Sequence, residues 1–241
     1  MFFLTCRSQS LAEMMKRDFV LLSLLLSPLV TFSQSFIQPN YGLKSHETLV
    51  IKKIEATPKA TTFFMTIENR IQEGSFCADK NIFIVYPDGS KSKLVSSGGI
   101  PVCPDSYKFK TPGEKLEFTL TFAPLKQGVK WADLVEECND NCFSFYGILV
   151  DNDLNRKFDE AFTVAENEEP GRSIISFIDL LEETDSENLG IEGLLYVNII
   201  RLANEAGRAG QAAEYYKKLK SSDAQRVLDY IKYLNTLGIK Y

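Results

Sequence analysis

Hydrophobic and polar positions alternate over most of the chain up to about residue 165, and then the period changes. The runs "ETLVIKKIEA" and "ATTFFMTIEN" are rich in Val, Ile, Thr and Phe and place successive side chains on opposite faces, the pattern of half-buried strands. A short connection containing Pro58 joins them as a hairpin. "NIFIVYPDGSKSKLVSS" repeats the device, with Pro87, Asp88 and Gly89 at its tip. In "EKLEFTLTFAPL" the residues Leu116, Phe118, Leu120 and Phe122 share one face. "CFSFYGILV" reads as a central strand and "FDEAFTV" as an edge strand. "WADLVEEC" reads as the one helical interruption, with Trp131 and Leu134 packing it onto the strands. Short strands separated by turn signals predict a two-sheet antiparallel β-sandwich over residues 34–165.

After "AENEEPG" the spacing becomes helical. Ile174, Phe177, Ile178 and Leu181 fall at i, i+3, i+4 and i+7 behind Pro170, which a first helical turn accepts. A second helix, from about Glu187 to Ala206, is apolar around much of its circumference and is expected at the centre. Gly207 and Gly210 separate it from "QAAEYYKKLK". The last helix is expected to open with Ser222 and Gln225 as a capping box and to stop at Gly238. The fold class predicted is α+β: a β-sandwich followed by a bundle of about four helices over residues 166–241.

The first 33 residues carry a different signal. Lys16 and Arg17 precede an apolar run from Phe19 to Val30 that is interrupted by Pro28 and ends near Thr31 and Ser33. The run is about 12 residues where a membrane span needs about 20, so it reads as an export leader cleaved after Ser33, with a start at Met14 or Met15. Cys6 would leave with it. The expected location is periplasmic or secreted, with no transmembrane segment in the mature chain. The 241 residues are 44% hydrophobic and 24% charged, which suits a globular domain and argues against disorder. Net charge is −5, which marks no nucleic-acid partner. The charge is nevertheless uneven: Glu166 to Glu192 holds nine acids against Arg172, whereas Arg201 to Tyr241 holds eight bases against four acids. Those two parts are expected either to attract each other or to line opposite faces.

"LVIKKIEATPKATTFFMTIENR", "GIPVCPDSYKFKTPGEKLEFTLTFAPL" and "WADLVEECNDNCFSFYGI" together resemble the immunoglobulin-like (telokin-like) sandwich domains of uncharacterised exported bacterial proteins. The resemblance covers about Glu47 to Val150. It implies a binding or accessory module and supplies no catalytic residue. Tyr196, Ile199, Ala212 and Tyr216 are similar to the packing positions of one tetratricopeptide hairpin, but Ile200 and Ala203 stand where glycine and tyrosine are usual. A lone hairpin of this kind cannot build a solenoid.

Four cysteines remain after the leader. A catalytic thiol needs cations or a helix N-terminus, whereas Cys138 has Glu136, Glu137 and Asp140 around it, and C-x-x-x-C is not the oxidoreductase spacing. A structural zinc would draw on all four, with His46 the only histidine. Export favours two disulfides instead. Of three possible pairings, Cys77 with Cys103 and Cys138 with Cys142 are favoured.

Asp151, Asp153, Asn155 and Asp159 occupy calcium-loop positions 1, 3, 5 and 9, although Arg156 replaces the turn glycine and Phe162 the closing glutamate. A solvated polar turn is the alternative. His46 is the only candidate base for a nucleophilic triad and sits in a polar "KSHE" run. Lys217, Lys218 and Lys220 beside Tyr215 and Tyr216 read as the solvent face of a helix.

These observations predict a non-enzymatic protein without a cofactor that binds a protein or ligand of the cell envelope. The loops Gly74 to Asp79 and Ser96 to Pro104 are its candidate surface, with the helical bundle as a second one. The alternatives are an accessory subunit of an envelope enzyme or redox system and a calcium-stabilised ligand-binding protein.

Overall fold

The computed structural model describes residues 33–184 and 190–241. Apart from Ser33, the expected leader lies outside the described residues. The fold is α+β. Eleven strands come first: β1 (Gln34–Ile37), β2 (Leu43–Lys44), β3 (Leu49–Ala56), β4 (Thr61–Glu68), β5 (Ser75–Phe76), β6 (Ile82–Val85), β7 (Lys91–Gly98), β8 (Tyr107–Lys108), β9 (Lys115–Phe122), β10 (Trp131–Glu136) and β11 (Ser144–Leu149). Five helices follow: α1 (Asn152–Asn167), α2 (Pro170–Thr184), α3 (Glu192–Glu205), α4 (Ala209–Ser221) and α5 (Val227–Thr236).

Nine strands form one antiparallel sheet in the order β1-β3-β4-β9-β7-β6-β10-β11-β2, and β5 with β8 forms a separate ribbon. The order itself requires strong curling. Eight spacings of about 4.8 Å would hold the outer strands of a flat sheet about 38 Å apart. Yet β1 and β2, the two edges, are joined by Gln38 to Gly42, a link that reaches about 21 Å when fully extended. The sheet therefore bends back on itself, and its concave face closes over a single core in which Ile54, Phe63 and Leu120 join Ile84, Leu134 and Phe145. A sandwich would divide these strands into two sheets; here hydrogen bonding continues through β7, which pairs with β9 on one side and β6 on the other. A register shift between Leu94 and Ser96 marks the bend, as bulges do in curved sheets.

A second core belongs to the helices and includes Phe158, Phe177, Leu195, Ile199, Leu219 and Leu234. Trp131 and Leu149, cross-strand partners at one end of β10 and β11, belong to this core rather than to the first. The two strands thus run from one core into the other.

Four local expectations are corrected. "WADLVE" is strand β10, not helix. Both its faces are covered, by the sheet core at Ala132 and Leu134 and by the helices at Trp131, so the alternation that identifies a half-buried strand is absent. "FDEAFTV" lies inside α1, whose buried Leu154, Phe158 and Ala161 follow at helical spacing. The helical part therefore begins at Asn152, not at residue 166, and the described residues contain five helices rather than four. Ser222 closes α4 by donating its hydroxyl to the Leu219 carbonyl; the residue that precedes α5 is Arg226, in the left-handed conformation at φ 60°. The expected opening of the central helix at Glu187 lies outside the described residues, and the described part of that helix begins at Glu192.

Candidate functional site

The loops Gly74 to Asp79 and Ser96 to Pro104 are brought together at one end of the curled sheet. β5 pairs with β8, and Ala78 then makes a parallel bridge to Val102. The Ala78 amide donates to the Pro101 carbonyl and the Cys103 amide to the Ala78 carbonyl, each at 3.0 Å. A disulfide joins Cys77 to Cys103 with their Cα atoms 5.3 Å apart. Behind this surface Phe76 packs between Phe118 and Phe143 at ring distances of 6.0 and 6.2 Å. Its outer side presents Ser75, Lys80, Pro104 and Asp105, together with Val102, which is 46% exposed.

The second disulfide, Cys138 to Cys142, closes the turn between β10 and β11 at the same end. Glu136 ties the two cystine segments together. Its buried carboxylate accepts the Asp79 amide at 2.7 Å through Oε1 and the Phe143 amide at 3.1 Å through Oε2. Burial pushes its pKa up, and these two hydrogen bonds oppose the rise. Glu137 points outward and pairs with Lys91 at 2.5 Å.

His46, the sole candidate base, lies near this end. Its Nδ1 is 2.9 Å from Ser45 Oγ, and burial lowers its pKa. Ser45 Oγ also accepts the Ser144 amide at 2.8 Å and reaches the Cys142 carbonyl at 3.4 Å, so the hydroxyl serves as a strand connector. A triad needs a third group that orients the imidazole; among the described residues no carboxylate is hydrogen-bonded to His46.

The acidic segment proposed as a calcium loop is the first two turns of α1. Asp151 is the N-cap and accepts the Asp153 and Leu154 amides. Asp153 pairs with Arg156 at 2.6 Å, a contact that with Lys157 lowers its pKa. Asn155 turns inward and donates to the Leu149 and Asp151 carbonyls, while its Oδ1 accepts the Asn40 amide at 2.7 Å. Asp159 accepts the Asn40 side chain at 2.9 Å. Asn155 and Asp159 thus fasten α1 to the link between β1 and β2, while Asp151 and Asp153 are used within the helix itself. Among the described residues no three His, Cys, Asp or Glu side chains are grouped to hold a metal ion.

No match to this chain is found among protein-family models, curated proteins or solved structures.

At the opposite end of β10 and β11 the polar residues that matter are ones the sequence did not single out. Asp133 is buried and accepts the Gly147 amide at 2.7 Å and the Arg226 guanidinium at 3.0 Å. Arg226 also lies over the Tyr146 ring, 3.4 Å from its centroid. Tyr230 is sealed beneath this pair, 2% exposed, and burial first, then Glu192, drives its phenol pKa upward. Two glycines admit its ring: a Cβ on Gly193 or on Gly42 would lie 2.1 Å from Tyr230 atoms. An acid inside an apolar strand was the available signal for Asp133; its partner is 93 residues away and carries none.

Proposed function

We propose that this chain is a non-catalytic binding module of the cell envelope that presents the disulfide-braced loop end to a protein or ligand partner. The observation that carries the proposal is the fusion of residues 74–79 with residues 96–104 into one partly apolar surface by a disulfide and a parallel bridge, with the ribbon to Tyr107 and Lys108 beside them. A preorganised surface loses little conformational entropy when a partner docks, which is what a binding loop requires. Two disulfides support an oxidising, exported location. The immunoglobulin-like kinship of the strand region is part of the same proposal, and the antiparallel β-rich half supports it at the level of class.

Site-specific photo-crosslinking in intact cells tests the proposal. A crosslinker at Val102 or Pro104 is expected to give a discrete adduct that the same group at Ile37, exposed at the far edge of the sheet, does not. Adducts at Ile37 with none at Val102 would reject it. Among the described residues no helix is long and apolar enough to cross a membrane.

A further inference from the structure

One hydroxyl at the cystine end of the sheet has more partners than it can serve at once. Ser45 Oγ lies 2.9 Å from His46 Nδ1, 2.8 Å from the Ser144 amide nitrogen and 3.4 Å from the Cys142 carbonyl oxygen. A hydroxyl carries one proton and two lone pairs. The Ser144 amide only donates, so it takes one lone pair whatever the pH. The carbonyl of Cys142 only accepts. His46 does either, and its protonation decides which. A neutral ring with its proton on Nε2 offers Nδ1 as an acceptor, and the serine proton turns to it. A charged ring carries a proton on both nitrogens, so Nδ1 donates into the second lone pair and the serine proton is released to the Cys142 carbonyl.

The segments that meet at this hydroxyl are 97 residues apart. Ser45 and His46 follow β2 on the link to β3, whereas Cys142 and Ser144 stand where the exposed turn at Asn139, Asp140 and Asn141 enters β11. The Ser45 amide already donates to the Ser144 carbonyl at 3.0 Å, and β2 pairs with β11 through Leu43 and Lys44 alone. A bond from Ser45 to Cys142 would extend this short edge pairing to the cystine itself.

We propose that His46 is a proton-operated switch that sets the attachment of the Cys138–Cys142 turn to the β2–β3 link through the Ser45 hydroxyl. At neutral pH the hydroxyl is committed to the ring. In acid it bonds the Cys142 carbonyl, and the turn is held by one more hydrogen bond. The ring is free to respond because no partner fixes its charge. Lys44 and Glu47 flank it on its own segment, but Lys44 donates to the Glu47 and Leu49 carbonyls and Glu47 faces Arg70. On the turn Glu137 is paired with Lys91 and Asp140 is exposed, while Glu136 behind it accepts the Phe143 amide. Among the described residues none of these carboxylates is hydrogen-bonded to the ring. Burial is what moves its pKa, and it moves it down. The switch is a property of the chain itself and does not depend on the loop end having a partner.

The test is NMR of the purified, oxidised chain from about pH 8 to about pH 5, a window that spans the ordinary histidine value. His46 is the only histidine, so its ring resonances give its titration without overlap. Its midpoint is expected below 6.5, and the Cys142 carbonyl carbon is expected to move downfield in step with it as the new hydrogen bond forms. In Ser45→Ala the ring should still titrate while the Cys142 shift is lost. His46→Gln should abolish that shift as well. Glu136 is the competing source, because burial raises its pKa and it accepts the neighbouring amide. A Cys142 shift that persists in His46→Gln would belong to Glu136 and overturn the proposal, as would one that persists in Ser45→Ala. A Cys142 carbonyl that stays still while His46 titrates would mean that the released hydroxyl turns to water, and it overturns the proposal too.

Discussion

One end of the β10–β11 pair is closed by covalent chemistry and the other by packing. At the Glu136 end two disulfides and a buried carboxylate hold three loop segments over the sheet core. At the Trp131 end there is no sulfur: Tyr230 fills a slot between two glycines, and the Asp133–Arg226 pair closes over it. The difference follows from what each end has available to bury. Helices bring a second hydrophobic core to the Trp131 end, whereas the loops add residues such as Phe76, Ala78 and Ile100 to the rim of the first core and are held in addition by a constraint on the unfolded chain. The covalent end suits a surface that must keep its shape while exposed, and the packed end fixes the orientation of the helices.

The largest effect should come from the packed end. Tyr230→Ala removes a fully buried ring and is expected to cost about 3–5 kcal/mol in urea unfolding. Trp131 is the only tryptophan and belongs to the helical core, so its fluorescence reports directly on that end. A loss below about 1 kcal/mol would mean that the slot between Gly42 and Gly193 does not bind the two halves together. The disulfides come next. In the chain-entropy account Cys77→Ser with Cys103→Ser, which opens a separation of 26 residues, should cost about 3 kcal/mol. Cys138→Ser with Cys142→Ser, which opens a separation of 4, should cost about 2 kcal/mol. Reversal of that order would show that the short cystine braces the native turn rather than the unfolded chain.

How much of this contrast was legible beforehand depends on how local each cause is. Strands whose two faces differ, such as β4 and β9, declare themselves through alternation, and the helical stripes of α2 declare themselves through their spacing. The class, strands followed by helices, follows from those elements. β10 hides because it is covered on both sides, and α1 hides because Asp151, Asp153 and Asn155 look like metal ligands until the N-cap and the Asn40 contacts are visible. The curl of the sheet is a property of strand order and could not be read from any single strand. That the two loops meet was legible because both flank hairpins and each contains a cysteine. The Asp133–Arg226 contact was not, since it depends on how the helices dock.

The ion pair at the packed end should matter less than the ring beneath it. Asp133→Ala leaves the buried Gly147 amide without its acceptor, for about 2 kcal/mol, while Arg226, about one-third exposed, turns to water. Arg226 offers a sharper comparison, because its φ of 60° lies in the left-handed region, which glycine adopts more readily than arginine or alanine. Arg226→Gly loses the ion pair but relaxes the backbone, so it should be milder than Arg226→Ala by about 1 kcal/mol. Equal melting temperatures for the two variants would show that the left-handed turn carries no cost.

The smallest effect separates the two ends by pH. Burial raises the pKa of Glu136 above the ordinary carboxylate value of 4.5. For an acid shifted in this direction the folded state holds the proton more tightly than the unfolded chain does. Its contribution is therefore fully present below about pH 4.5 and is lost as the pH rises through the folded pKa. Glu136→Gln cannot ionise, so the stability of wild type relative to this variant should fall as pH rises from 4.5 toward neutral. Tyr230 at the packed end should add no slope over this window, since burial pushes its phenol upward and keeps it protonated throughout. A relative stability that rises with pH would mean that the Asp79 and Phe143 amides stabilise the carboxylate more than burial penalises it. In that case the disulfide-braced end would be held by an anion, and it would loosen in acid rather than toward neutral pH.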